Sequence, residues 1–216
     1  MKENQHTRCT QGYRIFSTYT EVRNQGGIAL VTREAADNWH AEDTQQHGPN
    51  VLSTIMVAVD QRTPIIGRYL DPSHVNHLAY LEQALQRFPG QNPLLLGDLN
   101  VDLQDPTHHM HATVSDLLAQ YGLIDLLHQF QQRPTHGHMK TWWKLMTHPT
   151  TGVKRLHRSG CDYIMHRDRR LFQKVYIKRP EQFETDHLML VSRFLVQPTR
   201  SHKAFLLVRM KFPLHH

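Results

Sequence analysis

The chain has 216 residues and a formal net charge of +6, which suits one domain with a tail and is compatible with a polyanionic partner such as nucleic acid. No apolar run approaches the ~20 residues of a membrane span, and the only cysteines, Cys9 and Cys161, argue against a disulfide framework or a cysteine zinc site. These features predict an intracellular globular protein that does not enter a membrane.

The first third of the chain carries short, nearly continuous apolar segments separated by turn residues, which is typical of buried β-strands. The turn residues Asn24 to Gly27 predict a hairpin between the first two segments. The predicted strands are Tyr13 to Tyr19, Gly27 to Thr32, Val51 to Val59 and Ile65 to Leu70.

Helical periodicity follows, with Leu78, Leu81, Leu85 and Phe88 at three- and four-residue spacing before Pro89-Gly90. A second helix is predicted from about Thr113 to Gly122. Residues 131–160 lack periodicity and are predicted to be mainly loop. The remaining predicted strands are Pro93 to Leu96, Asp162 to Met165, Lys174 to Lys178 and Leu188 to Val196. This order predicts a layered α/β domain.

The segment Gly97-Asp98-Leu99-Asn100 ends an apolar strand with two polar side chains. In extended geometry Asp98 and Asn100 point to the same face, where a carboxylate and an amide can hold a water and a phosphate oxygen. The alternative is an ordinary strand followed by an Asx turn.

Two further motifs place acids at strand entries: Asp162 in SGCDYIM, and Asp186-His187 in TDHLMLV. A carboxylate can ligate Mg²⁺, and a histidine held by another carboxylate can contact a phosphate. Each motif alone also fits a turn acid or a loop pair. Together they favour a site, because they share one chemistry and all lie at strand ends.

The chain resembles the endonuclease/exonuclease/phosphatase superfamily in four motifs that occur in this order: IIGRYLDPS with Tyr69, GDLN, SGCDYIM and TDHLMLV. The chain is most similar to the apurinic-endonuclease-like domain of non-LTR (LINE-type) retrotransposons. The resemblance implies a layered α/β sandwich of two packed, mostly antiparallel sheets flanked by helices. It also implies phosphodiester hydrolysis with Mg²⁺ or Mn²⁺, with DNA as the partner and the nucleus as the place of action.

The resemblance implies a role for each matching residue. Asp98 would orient or deprotonate the attacking water, and Asn100 would hold that water or a phosphate oxygen. His187 would contact the phosphate while Asp162 orients its imidazole. Tyr69 would present its hydroxyl to the phosphate or to the leaving oxygen.

The same resemblance assigns a metal-binding role to Asp186. It places Thr141 and Trp142 in the region where the family contacts DNA, although a buried tryptophan is an equal alternative. Arg169 and Arg170 belong to a basic stretch that is either a solvated face or a contact to the DNA backbone.

The amino terminus departs from the family pattern, which begins with two strands supplying an Asn and a metal-ligating Glu. No such strand is predicted upstream of Tyr13, and Glu3 is the only acid there. Residues 1–12 are therefore interpreted as a remnant in which Glu3 is a candidate metal ligand without a strand to fix it, residues 13–196 as the domain, and residues 197–216 as a basic tail or linker. Missing strands would weaken metal binding, because ligands must be held in place.

Histidine clusters suggest another metal site, but neither paired cysteines nor an HExxH pattern accompanies them. They are interpreted as surface residues: His108, His109, His111, His136 and His138.

Three functions remain open. The first is a metal-dependent, DNA-nicking endonuclease domain derived from a retrotransposon. The second is a catalytically impaired or dead remnant that at most binds nucleic acid, and the third is a phosphatase for lipids or small phosphates. No protein partner is predicted.

Overall fold

The computed structural model describes residues 6–10, 12–18, 27–33, 39–58, 61–71, 77–130, 140–180 and 185–195. The first half contains β1 (His6–Thr10), β2 (Tyr13–Ser17), β3 (Ala29–Arg33), β4 (Trp39–Gly48), β5 (Val51–Ala58), β6 (Gln61–Tyr69), α1 (His77–Gln86) and β7 (Leu94–Asp98). The second half contains α2 (His111–Gln120), β8 (Ile124–Asp125), α3 (Leu126–Phe130), β9 (Trp142–Thr147), β10 (Lys154–Ser159), β11 (Asp162–His166), a 3₁₀ turn (Arg169–Leu171), β12 (Phe172–Lys178) and β13 (Met189–Phe194).

A six-stranded sheet in the order β4-β5-β6-β7-β11-β8 forms the centre of the fold. Strands β6 and β7 are parallel and are joined through α1, whereas the other neighbouring strands of this sheet are antiparallel. Three smaller sheets have the orders β1-β2-β3, β10-β9 and β12-β13. The mostly antiparallel α/β architecture predicted from the sequence is confirmed.

The two faces of the central sheet pack into two separate hydrophobic cores. One core joins residues of β5, β6 and β7 to the apolar faces of α1 and α2, including Leu81, Leu85 and Val114. The other joins the opposite face to β2, β12 and β13, including Phe16 and Phe172. Because β5 and β7 are covered on both faces, their sequences are nearly continuous apolar runs rather than alternating ones.

Gly97 allows β7 to approach β6 closely at the end of the sheet that carries the predicted site. Its φ is +151°, and a Cβ at this position would lie 1.8 Å from the backbone oxygen of Arg68. Only glycine avoids that overlap. The Arg68 side chain is buried on the helix side, donates to the carbonyl oxygen of His77 at the start of α1, and has its pKa lowered to about 9 by burial.

Most predicted elements are present with shifts of a few residues. The predicted hairpin is confirmed by the antiparallel pairing of β2 with β3, and both predicted helices are present. The prediction that residues 131–160 are mainly loop is wrong for the described part, because β9 and β10 form a hairpin there. Most of its side chains are exposed on both faces, so no buried alternation signals the strands.

Two further strands depart from the prediction. Strand β1, which the sequence did not predict, precedes Tyr13 and pairs with β2, but it carries neither the Asn nor the Glu of the family's first two strands. Strand β4, an edge strand rich in polar residues, lacks the apolar run that would predict it. The proposed tail at residues 197–216 and Glu3 lie outside the described residues. None of the helices in the described part of the chain is long and apolar enough to span a membrane.

Candidate active site

Two neighbouring strands bring a pair of carboxylates together. Strand β7 ends at Asp98 and β11 begins at Asp162, and the antiparallel register pairs these two residues directly. Side chains alternate along a strand, so both carboxylates lie on the same face as Leu96 and Ile164, which belong to the core beneath β12 and β13. Each residue is only 2% exposed.

His187 lies just before β13, the strand that pairs with β12, and its side chain reaches the same two carboxylates. Its Nδ1 lies 2.9 Å from Oδ2 of Asp162. Its backbone N–H donates to Oγ1 of Thr185, and the residue forms an isolated antiparallel bridge with Trp142. The imidazole orientation is therefore fixed both by the Asp162 carboxylate and by the backbone around it.

The local electrostatics alter the protonation of Asp98. Burial, and then the charge of neighbouring Asp162, raise the pKa of Asp98 to about 7. The backbone N–H of Asn100 and the nearby His187 oppose part of this rise. Asp98 can therefore exchange a proton near neutral pH, as a general base requires.

The same carboxylates favour the charged form of His187. Burial alone lowers the pKa of His187, but the hydrogen bond to Asp162 and the charges of Asp162, Asp98 and Asp186 outweigh that effect. The net result is a pKa above the ordinary histidine value. His187 is thus disposed to carry positive charge within a cluster of acids.

The turn after β7 differs from the extended geometry predicted for it. Asn100 has a φ of 49°, and its N–H donates to Oδ1 of Asp98 at 2.7 Å, which confirms the Asx-turn interpretation. The amide Nδ2 of Asn100 donates to the carbonyl oxygen of Leu70 at 2.7 Å. This bond ties the turn to the end of β6 and leaves the Asn100 side chain beside the carboxylate.

Tyr69 ends β6 directly opposite Asp98 in the parallel register. Burial and the charge of Asp98 raise the pKa of Tyr69, and a hydrogen bond with Asn100 offsets part of that rise. The phenol therefore stays protonated at neutral pH and can donate a hydrogen bond.

Asp186 lies at the exposed rim of the cluster that Asp98, Asp162 and His187 form. Trp142 Nε1 donates to Oδ2 of Asp186 at 2.8 Å, and the backbone N–H of Trp143 donates to its carbonyl oxygen. The other carboxylate oxygen lies 4.0 Å from Nε2 of His187, and 53% of the side chain is exposed. Trp142 thus holds a carboxylate at the mouth of the site.

Thr141 is a structural residue of the site rather than a DNA contact. Its side chain is 0% exposed, so the prediction that it contacts DNA directly is wrong. Its Oγ1 accepts hydrogen bonds from the backbone N–H groups of Cys161 and Asp162, at 3.2 and 3.0 Å. Thr141 thereby fixes the start of β11, where Asp162 enters the cluster.

Cys161 is a member of the cluster to which the sequence motifs assigned no role. Its Sγ lies 3.6 Å from Oδ2 of Asp162, and burial raises the pKa of the thiol. One potential ligand atom from each of Cys161, Asp98, Asp162 and His187 lies within 4.8 Å of all the others. The available signal was its position in SGCD, directly before the predicted catalytic acid.

Asp102 braces the loops that carry these groups. Its buried carboxylate accepts hydrogen bonds from Nζ of Lys140 and from the backbone N–H of Gly160, the latter at 3.1 Å. The hydroxyl of Tyr163 accepts from Leu103 and donates to Gly160. The turn after β7 and the loop before β11 are consequently held against each other.

Arg169 and Arg170 lie beyond the opposite end of β11 from Asp162 and are not brought to the cluster. Arg170 forms a bidentate pair with Asp168, and the guanidinium of Arg169 lies 4.6 Å from the ring centre of Phe130. A strand of this length spans roughly 15 Å. Any contact of these arginines with DNA would be remote from the cluster.

Solved structures share this architecture over most of the chain. The endonuclease domain of TRAS1, a telomere-specific non-LTR retrotransposon, has a TM-score of 0.67 and 14% identity, covering 88% of this chain and 83% of that one. An endonuclease/exonuclease/phosphatase family protein from Leptotrichia buccalis has a TM-score of 0.57 and 14% identity, covering 87% and 73%. The chain has the endonuclease/exonuclease/phosphatase fold. D. rerio TDP2, solved with a single-strand DNA product, shares this fold with a TM-score of 0.52 and 13% identity, covering 82% and 72%.

The endonuclease/exonuclease/phosphatase resemblance predicted from the motifs is thus confirmed at the level of the fold. No family model and no curated protein matches the sequence. Because one fold hosts several activities, the function has to be argued from the site itself.

Proposed function

We propose that this chain is a divalent-metal-dependent phosphodiester hydrolase that nicks DNA, in the manner of a retrotransposon endonuclease domain. The observation that carries the proposal is the His187–Asp162 hydrogen bond beside Asp98, with both acids buried at one end of the sheet. A potential base, an oriented imidazole and a cluster of carboxylates meet there, and these groups can together activate a water and stabilise the charge that develops on a phosphodiester.

Asp98 is the proposed base. Its raised pKa, about 7, lets it accept a proton from an attacking water at neutral pH. The Asn100 N–H holds Oδ1 of Asp98, which restricts the carboxylate to one orientation. Asn100 and Tyr69, which hydrogen-bond each other next to Asp98, are the proposed contacts to the water and to a phosphate oxygen.

His187 is the proposed electrostatic stabiliser. Its Nδ1 faces Asp162, so Nε2 can donate a hydrogen bond toward the negative charge that develops on the phosphate. Asp162 supports this role in two ways, since it fixes the ring and raises the pKa of His187.

The residues of the site fit a divalent cation. Asp186 presents a carboxylate that is 53% exposed at the rim, with Oδ1 4.0 Å from Nε2 of His187 and beside the buried acids Asp98 and Asp162. Mg²⁺ and Mn²⁺ favour carboxylate oxygens and water as ligands. We assign the metal to Asp186 at the rim, and the cation when bound would neutralise charge on the phosphate.

The surface beside the site suits a nucleic-acid substrate. The β9–β10 hairpin begins at Trp142, next to Asp186, and carries four lysine and arginine side chains on its two strands: Lys144, Lys154, Arg155 and Arg158. Leu145, Met146 and Leu156 are about half exposed on the same hairpin. Cations that contact phosphates, interleaved with apolar side chains, match what a DNA duplex presents. Among the structural neighbours, TRAS1 is an endonuclease domain and TDP2 was solved with a single-strand DNA product.

The test is a supercoiled-plasmid nicking assay with Mg²⁺, with Mn²⁺ and with a chelator. We expect metal-dependent nicking that Asp98→Ala and His187→Ala abolish. Two exposed residues serve as matched controls: Asp116→Ala for the carboxylate and His109→Ala for the imidazole.

Absence of nicking, or nicking that survives Asp98→Ala and His187→Ala, would overturn the proposal. Salt-dependent DNA binding without cleavage would instead support a domain that only binds nucleic acid. Phosphate release from lipid or small-molecule phosphates without nicking would identify a phosphatase.

A further inference from the structure

We propose that Cys161, His187, Asp98 and Asp162 form a second metal site, selective for a thiophilic cation such as Zn²⁺, and that its occupation inhibits the enzyme. The inhibitory part rests on the proposed nuclease function. The binding part concerns only the four side chains and holds whether or not the chain cleaves DNA.

The four donors are close enough to share one small ion. One potential ligand atom from each residue lies within 4.8 Å of the other three. Ligands of a tetrahedral zinc ion, bound at ~2.0–2.3 Å, lie about 3.3–3.8 Å apart. Small side-chain movements of about 1 Å therefore suffice to bring them into one coordination sphere.

An independent observation points to a cation in this place. Asp162 is 2% exposed, yet its Oδ1 has no hydrogen-bond partner in the described part of the chain. Its Oδ2 is near both the Cys161 thiol and the His187 ring, at 3.6 and 2.9 Å. A buried carboxylate oxygen without a donor is costly, and a bound cation would satisfy it.

The types of ligand atom in this site decide which cation it favours. One sulfur, one imidazole nitrogen and two carboxylates match the ligands that zinc takes in proteins, and zinc accepts four-coordinate geometry. Mg²⁺ requires oxygen ligands in near-octahedral geometry and gains nothing from a thiol. The thiol of Cys161 therefore gives this site a different metal preference from the proposed Mg²⁺ position at Asp186.

Occupation of this set would remove the proposed catalytic groups from use. Zinc bound to the Asp98 carboxylate would make it a much weaker base, so that it would no longer accept a proton from the attacking water. Zinc would thus inhibit even in the presence of excess Mg²⁺. The inhibition would depend on a thiol that the proposed hydrolysis does not use.

The decisive experiment measures binding rather than activity. Co²⁺ replaces Zn²⁺ as a spectroscopic probe, because a cobalt–thiolate bond gives a charge-transfer absorption in the near ultraviolet. We expect this absorption in the unaltered chain and in Cys9→Ser, which lacks the only other thiol, and we expect it to vanish in Cys161→Ser. Zn²⁺ added in competition should displace the cobalt, and its affinity should fall by about tenfold or more in Cys161→Ser.

Absence of the absorption, or its survival in Cys161→Ser and loss in Cys9→Ser, would overturn the proposal. Circular dichroism establishes whether Cys161→Ser folds. If it does not, X-ray absorption of the Zn²⁺-loaded Cys9→Ser chain decides the question. One sulfur ligand supports the site, and coordination by nitrogen and oxygen alone refutes it.

Inhibition is measured separately, on nicking with Mg²⁺ and added Zn²⁺. Each variant is compared with its own rate without zinc, and we expect Cys9→Ser to stay as sensitive as the unaltered chain and Cys161→Ser to lose most of its sensitivity. Cobalt–thiolate binding without any nicking would contradict the nuclease function alone. Nicking without a cobalt–thiolate absorption would contradict the second metal site alone.

Discussion

Asp98 and Asp162 are cross-strand partners at the junction of β7 and β11, and both are 2% exposed. Two acids in this position repel each other and are poorly hydrated, so the structure favours one bound proton, one bound cation, or the positive charge of His187. The repulsion between these two buried acids therefore affects both the stability of the fold and the protonation of the site.

The first prediction concerns stability against pH. The pKa of Asp98 is about 7 in the folded chain, against an ordinary value of 3.8. Between about pH 4 and 7 the folded chain keeps the Asp98 proton that the unfolded chain releases. The contribution of this proton to the free energy of unfolding is therefore fully present below about pH 4 and is lost as the pH rises through about 7. The raised pKa of His187 acts in the same direction.

Asp98→Asn, which mimics the neutral acid, should therefore raise the free energy of unfolding at about pH 8 by about 1–3 kcal/mol, and raise Tm with it. The difference should shrink toward about pH 4. Thermal denaturation across this range measures it, with the exposed Asp116→Asn as control. A larger difference at acid pH than at alkaline pH would contradict the assignment.

The second prediction concerns the His187–Asp162 pair. Asp162→Asn keeps the shape of the side chain but removes the charge that raises the pKa of His187. We expect nicking to slow by about 10²- to 10⁴-fold with little change in DNA affinity. We also expect the alkaline limit of the pH–rate profile to move to lower pH. An unchanged profile would show that Asp162 does not act through His187.

The third prediction tests the close approach of β7 to β6. Gly97→Ala places a Cβ 1.8 Å from the backbone oxygen of Arg68, which the packed strands cannot accommodate. We expect a loss of about 3 kcal/mol or more in the free energy of unfolding, or failure to fold. Gly90→Ala is the matched control, because Gly90 also has a positive φ but no atom within 4 Å of the added Cβ.

Gly90→Ala should cost only about 1–2 kcal/mol, the strain of a left-handed backbone. Urea denaturation of both variants gives the comparison. Equal losses would mean that backbone conformation, and not contact with β6, requires the glycine at position 97.

The fourth prediction concerns the β9–β10 hairpin as the DNA-binding surface. The double change Arg155→Ala and Arg158→Ala removes two exposed cations from β10. DNA binding should weaken at all sequences, and the slope of log K against log salt should decrease by ~0.9 for each phosphate that the protein no longer neutralises. Fluorescence anisotropy at several salt concentrations measures both quantities.

Arg62→Ala supplies the control for the hairpin. Arg62 is an exposed arginine near the start of β6, paired with Glu42, whereas Tyr69 at the other end of β6 reaches the site. Seven residues of strand separate them by roughly 23 Å. If Arg62→Ala weakens binding as much as the hairpin variant does, the hairpin is not the principal contact.

Buried helices and strands can be predicted from the sequence, whereas exposed strands cannot. Strands β5 and β7 are predicted because burial on both faces demands continuous apolar runs. The helices are predicted because α1 buries Leu81 and Leu85 on a single face. Strands β9 and β10 are not predicted, because an exposed hairpin is specified by pairing between its strands, which leaves no hydrophobic pattern.

For the site, the apolar runs in the sequence locate three groups at strand ends: Asp98, Asp162 and His187. How those strand ends meet follows from the pairing of the strands in three dimensions. The register of β7 with β11 raises the pKa of Asp98, Trp142 holds Asp186 at the rim, and Cys161 lies in the cluster. The physical reason is that burial and residue type are local properties recorded along the chain. Distances between charges, and the protonation that follows from them, depend on contacts between residues far apart in sequence.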